Sequence, residues 1–284
     1  MVGHQGERGE KLSKLKNRLP LVVYLLIVII ILCFLSLLVG SVKISAAKVF
    51  TSTLIPGSSN ASSIIWQVRM PRLVLAILSG ALLAMAGAIL MGTYGTIMID
   101  KLVAKTFYLG AAVISAVSIF MIVFGFNLNT VYWWLLGSLA GTTWMKVLIV
   151  ALFVVLGLLV YVFYYKDLNA LLFGEYTAKT LGVEVRWLRV LLLLVALILS
   201  ALTVYSCGLL CLTALVLPYF VRLATGVNYK YLVPVSIMTS ASLVILVDIF
   251  SRIVFPAELP IGIIMVIVCC PLYIYALQRR RLGL

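Results

Sequence analysis

Long apolar runs separated by short charged stretches set the pattern of this chain. A helical crossing of a bilayer needs about 20 mainly apolar residues. Leu21–Gly40 supplies one, and Leu73–Ile99 supplies a second that is longer than needed. Thr106–Met145 holds forty residues without a charge, too many for one crossing. It divides at Gly125-Phe126-Asn127-Leu128-Asn129-Thr130, which predicts one span over Thr106–Phe126 and the next over Val147–Tyr165. Between them, Trp133–Trp144 reads as a short interfacial helix, with Tyr132, Trp133, Trp134 and Trp144 as aromatic anchors. Val190–Val221 has 32 uncharged residues and fits either one tilted span or two short ones broken near Cys207-Gly208. Charge arbitrates. With two spans both termini share a side, and that side carries sixteen of the Lys and Arg residues against six opposite. Cytoplasmic loops collect Lys and Arg, so the two-span reading is favoured. Tyr231–Ile253 and Leu259–Gln278 complete the set. The expectation is an all-α, polytopic helical membrane protein of about eight transmembrane helices. Residues 1–19 form a basic cytoplasmic tail and 20–284 a transmembrane domain, with both ends cytoplasmic in a multi-pass cell-membrane protein.

Composition agrees and removes alternatives. Apolar residues make up 64% of the 284 and charged residues 11%, against about 45–50% and about 25% in soluble domains. Too little polar surface exists to cover a soluble fold, and a disordered chain is excluded on the same ground. Outer-membrane barrels need short alternating segments, which these runs are not. The net charge of +14 would suggest nucleic acid on a soluble protein; here it marks the cytoplasmic side, and no nucleic-acid partner is expected. Five cysteines give no disulfide framework. Cys207 and Cys211 are four apart, but two thiolates without a nearby His make a poor metal site, and the one His, His4, lies in the polar tail. The basic N-terminus reads as leading into a retained first span, because no small-residue cleavage site follows the apolar run.

Two helix-packing patterns stand out. Gly80, Ala84, Ala88 and Gly92 fall four apart on one face of the second span, as close helix approach in lipid requires. Asp248 is the only carboxylate inside a predicted span and lies four residues before Arg252, a favourable helical pairing. It reads either as a neutralised pair near the outer interface or as a functional group. No phosphate loop of the form G-x-x-x-x-G-K-[ST] occurs, so ATP is not expected to bind this chain, and no hydrolytic or zinc motif appears. Residues 166–189 form the largest cytoplasmic piece. Leu168, Leu171, Leu172 and Tyr176 fall near one helical face, Glu175 and Lys179 form an i,i+4 pair, and Gly182 suits a helix stop. Such a helix either rests in the headgroup layer or docks on a soluble partner.

The stretch L-N-A-L-L-F-G-E-Y-T-A-K-T-L-G at Leu168–Gly182 resembles a segment of the iron-siderophore, haem and cobalamin permease family, the membrane subunits of type II ABC importers. Four more stretches resemble the family in the same order: W-Q-V-R-M-P-R at Trp66–Arg72, Y-W-W-L-L-G-S-L-A-G-T-T-W at Tyr132–Trp144, L-P-Y-F-V-R-L-A-T-G at Leu217–Gly226, and A-E-L-P-I-G at Ala257–Gly262. The resemblance implies a permease working as a homo- or heterodimer, two cytoplasmic ATP-binding subunits that carry ATP and Mg, and an extracytoplasmic solute-binding protein. It implies no cofactor in this chain and no enzyme activity of its own. By the same resemblance Asn169, Leu171, Gly174, Glu175, Ala178, Leu181 and Gly182 contact the ATPase, and Arg69, Arg72 and Arg252 are outer-face arginines that pair with acidic residues of the binding protein.

The chain also departs from the family. After the second span it runs through G-T-Y-G-T-I-M-I-D-K-L-V-A-K straight into a segment resembling the family's fifth span, so the third and fourth have no counterpart. A tightly packed Gly-Ala-Pro near the family's C-terminus reads Cys269-Cys270-Pro271 here. A second reading therefore stands beside the importer: a shortened, transport-inactive or regulatory permease-like membrane protein.

Overall fold

The computed structural model describes residues 19–40, 60–125, 136–208, 212–253 and 259–281. Its regular elements are all helices among the described residues. They are α1 (Leu19–Leu38), α2 (Asn60–Ile64), a π-helical turn (Ile65–Arg69), α3 (Met70–Val123), α4 (Trp144–Leu171), α5 (Glu175–Thr180), α6 (Val185–Cys207), α7 (Leu212–Thr225), α8 (Tyr229–Ile253) and α9 (Ile261–Arg281). Five described helices are long and apolar enough to cross a membrane, and two shorter apolar ones accompany them. The basic tail, with His4, lies outside the described residues, as do Tyr132, Trp133, Trp134 and Cys211.

The π turn has a local cause. Pro71 lacks an N–H, and its ring would clash with the carbonyl four residues back. The helix widens just before it, and the Met70 amide bonds Ile65 instead of Trp66. Widened turns free carbonyls, and the Trp144 indole N–H donates to the Trp66 carbonyl at 3.0 Å.

The first half of α3 is the hub, packed on by α4, α6, α7 and α8. Ala84 and Ala88 are fully buried. A Cβ on Gly80 would stand 2.6 Å from the Ala241 backbone on α8, and one on Gly92 would stand 2.5 Å from Leu168 of α4 and 3.1 Å from the Tyr229 hydroxyl. α3 and α8 are thus antiparallel, with Arg72 opposite Asp248, Gly80 opposite Ala241 and Gly92 opposite Tyr229.

Three expectations are corrected. The crossings expected over Leu73–Ile99 and Thr106–Phe126 are one uninterrupted helix of 54 residues, which at 1.5 Å per residue extends about 80 Å against an apolar bilayer core of about 30 Å. Asp100, Lys101 and Lys105 interrupt the apolar run, but no Gly or Pro falls between Asp100 and Lys105 to end a helix. The interfacial helix expected over Trp133–Trp144 is not helical from Gly137 to Thr143. Gly137 and Gly141 take φ of +77° and +67°, and the Gly137 carbonyl instead accepts the Ile261 amide at the start of α9. The coupling segment is likewise not one amphipathic helix. Val190–Val221 divides at Gly208, with φ +78°, as the charge distribution favours.

Candidate functional site

Two clusters hold the residues singled out by sequence, one at each end of the α3–α8 pair. At the first, α4 runs through Lys166 and ends at Leu171, and the chain turns at Leu172–Gly174 into the six-residue α5. Gly174 has φ +103°, a backbone region in which side-chain-bearing residues are strained. The far end of α5 closes in a paired cap: the Gly182 amide donates to the Lys179 carbonyl and the Val183 amide to the Ala178 carbonyl, each at 3.0 Å, with Gly182 at φ +83°. Gly182 is the helix stop that the sequence suggests.

The side chains divide by role. Ala178 is fully buried and Leu168 nearly so, which anchors the segment. Phe173, Tyr176 and Leu181 are 75%, 83% and 66% exposed. Leu171 is half-buried, and Gly174, Glu175 and Gly182 are exposed. Glu175 pairs with Arg189 of α6 rather than primarily with Lys179. The hydrogen bond from Arg189 holds the Glu175 carboxyl below its usual range, helped by the charges of Arg189 and, less, Lys179. Asn169 faces inward: its Oδ1 accepts the Tyr229 amide at 2.9 Å and its Nδ2 donates to Asn228 Oδ1 at 3.3 Å. The ATPase-contact set carried over by resemblance therefore divides into exposed residues and residues, Asn169 and Ala178, that hold the segment together. Phe173, Arg189 and Asn228 were not singled out in the sequence. Phe173 offered a signal, an apolar residue directly before a glycine turn; Arg189 and Asn228 gave none.

The second cluster gathers the three arginines, which are not the exposed side chains expected of docking residues. Arg69 and Arg72 are 5% and 8% exposed, and the Arg252 side chain is also buried. Asp248 is fully buried and holds Arg72 Nε on Oδ1 at 2.9 Å and an Arg252 Nη on Oδ2 at 2.5 Å. The i,i+4 pairing read from sequence is present, and Arg72 joins it from 176 residues away. The arginines also meet the C-terminus of α1, where the last carbonyls of a helix carry negative partial charge. Arg252 donates to the Ser36 and Val39 carbonyls at 3.1 and 2.9 Å and to Ser36 Oγ at 2.7 Å. Arg69 donates to the Leu37 and Leu38 carbonyls. α1 has no basic residue in its own last turn; α8 and the π turn supply them. What is corrected is their exposure: the guanidiniums are buried against acceptors on α8 and at the C-terminus of α1.

Comparison with known proteins places these features in context. The model of the FecCD transport family matches residues 27–93 and 101–279. The Fe(3+)-citrate import system permease protein YfmE of Bacillus subtilis is 26% identical over 322 aligned positions, covering 93% of this chain and 96% of the relative. The Fe(3+) dicitrate transport system permease protein FecD of Escherichia coli is 35% identical over 156 positions, 55% of this chain and 49% of the relative. The cobalamin import system permease protein BtuC of Halobacterium salinarum is 29% identical over 276 positions, 78% and 74% of the two chains. A solved structure, assigned as an inward-facing metal-chelate type ABC transporter, superposes with a TM-score of 0.68 at 25% identity, covering 92% of this chain and 99% of that one. The alignment with YfmE is longer than this chain's 284 residues, so that relative carries segments with no counterpart here.

Proposed function

The chain belongs to the FecCD transport family, and from that membership we propose that it is the membrane-spanning permease subunit of an ATP-driven importer for an iron chelate, haem or a cobalamin-like solute. The observation that carries the reading is the exposed apolar group Phe173, Tyr176 and Leu181, on and flanking a short capped helix between two membrane-length helices. Large apolar side chains clustered on a polar turn mark a protein contact. The partner there is a cytoplasmic ATP-binding subunit, which carries the ATP and Mg. ATP binding closes the paired subunits, the segment between α4 and α6 transmits the motion, and the path changes from outward- to inward-facing. A second permease chain completes the path, and an extracytoplasmic solute-binding protein docks at the end that carries Arg69, Arg72 and Arg252. Both termini are cytoplasmic.

The test is ATP-driven uptake in proteoliposomes containing the chain, its ATP-binding subunits and its binding protein, with Fe(3+)-citrate, haem and cobalamin as solutes. Gly182→Trp forces a side chain into the positive-φ stop, so uptake should fall at least tenfold while ATP hydrolysis continues. Unchanged uptake would contradict the proposal. One observation favours the second reading, a permease that assembles without moving solute: the family match breaks between 93 and 101, where α3 runs on without a turn. Stimulated ATP hydrolysis with no uptake of any of the three solutes would select that reading.

A further inference from the structure

We infer that Asn169 is a positioning residue that ties the segment between α4 and α6 to α8, so that displacement of this segment reaches the Arg72–Asp248–Arg252 cluster at the other end of the same helix. The inference deepens the permease proposal, and rests on it, only in calling the segment ATPase-facing. The tie itself belongs to the single chain.

Asn169 stands three residues before Leu172, where the turn toward α5 begins, so less than one helical turn of backbone separates it from the exposed segment. Its Oδ1 accepts the amide of Tyr229, the first residue of α8. That amide is one of the leading N–H groups that no turn of its own helix can satisfy. Asn169 is therefore a cap for α8 supplied by α4, acting beside the helix's own cap Asn228, whose Oδ1 accepts the Lys230 amide at 3.0 Å. A second strand of the tie lies two turns earlier on α4. The Tyr161 hydroxyl is 3.2 Å from the carbonyls of both Tyr229 and Lys230. Beside Asn169, buried Leu168 lodges against the Cβ-less face of Gly92. The end of α4 is fixed to both members of the α3–α8 pair and cannot shift without loading them.

α8 carries the load. It runs unbroken from Tyr229 to Ile253, through Pro234. Tyr229 and Asp248 are separated by about 29 Å along the axis, at 1.5 Å per residue, close to the thickness of an apolar bilayer core of about 30 Å. At the far end Asp248 grips α3 through Arg72, and Arg252 grips the end of α1. Each end of α8 is thus held by polar contacts to other helices, with one continuous helix between.

Hydrogen–deuterium exchange of the full-length chain alone in lipid nanodiscs tests this. Asn169→Leu removes the cap supplied from α4 and leaves the Asn228 cap on the Lys230 amide in place. Amides of residues 248–253 should then exchange at least fivefold faster, within the range of energetic coupling between distant sites, while those of residues 79–89 in α3 stay unchanged. Asn169→Asp keeps an oxygen for the Tyr229 amide but loses the donor to Asn228 Oδ1, so exchange at residues 248–253 should rise clearly less than in Asn169→Leu, which a general packing defect would not do. Coupling is reciprocal, so Arg252→Lys at the far end should speed exchange at Tyr229–Leu232. This second variant carries the test if Asn169→Leu does not fold. Exchange that rises only at the substituted end, or an Asn169→Asp variant that behaves like Asn169→Leu, would overturn the inference. No ATPase is present, so failure here leaves the permease proposal untouched, and failure of ATP-driven uptake leaves the tie untouched.

Discussion

At its Arg252 end α8 meets ionised side chains that are almost wholly buried, and at its Tyr229 end it meets a segment that leaves Phe173, Tyr176 and Leu181 largely exposed. Each arrangement inverts the ordinary rule for a folded chain, but only one is completed within it. The buried charges find counterparts inside: Asp248 for Arg72 and Arg252, and the carbonyls ending α1 for Arg252 and Arg69. The exposed Phe173, Tyr176 and Leu181 find none among the described residues, although the backbone beneath them is fixed by Ala178, the Gly182 cap and Glu175–Arg189. A rigid support under an uncovered apolar surface is what a docking site requires. A closed polar network is what a structural joint requires.

The contrast can be broken most sharply at the joint. Asp248→Ala leaves two buried guanidiniums without their carboxylate and should cost about 3–5 kcal/mol, seen as a large drop in the thermal unfolding midpoint of the purified protein. Gly80→Val drives a side chain into the Ala241 backbone and should cost about 1–3 kcal/mol in the same melt. At the docking end the order of effects reverses. Phe173→Ser and Tyr176→Ser should change stability by no more than about 0.5 kcal/mol and yet abolish ATP-driven uptake. Equal damage to stability at both ends would erase the distinction. The smallest effect concerns pH. The Glu175 carboxyl sits below its usual value because Arg189 hydrogen-bonds the charged form. A depressed carboxyl contributes its stability fully above the unfolded value and loses it as pH falls through the folded one. Titrating Glu175 by NMR should therefore show the Arg189 pair intact throughout pH 5–8 and broken only below the ordinary carboxylate range of about 4.3.

Much of this was legible in the sequence, for definable reasons. Apolar run length gave the helical class and Gly182 announced the end of α5, because each depends on local residues, and charge asymmetry favoured two spans over Val190–Val221. The Gly80–Gly92 face was visible as a period of four. What escaped were relations between distant segments. Nothing near Arg72 signals that Asp248 faces it, so the arginines read as exposed docking groups when they are buried ones. Asn169 read as a surface contact because its partner, the Tyr229 amide, lies 60 residues on. The continuous α3 was not legible because Asp100, Lys101 and Lys105 interrupt the apolar run, although no residue from Asp100 to Lys105 prevents a helix.

The central claim, that the segment carrying Tyr176 faces the nucleotide-driven partner inside the cell, reduces to a question of side. With the five native cysteines replaced by serine and Tyr176→Cys introduced, a membrane-impermeant maleimide should label inside-out vesicles and spare right-side-out ones. Labelling of right-side-out vesicles alone would put the segment on the exterior and contradict the importer assignment.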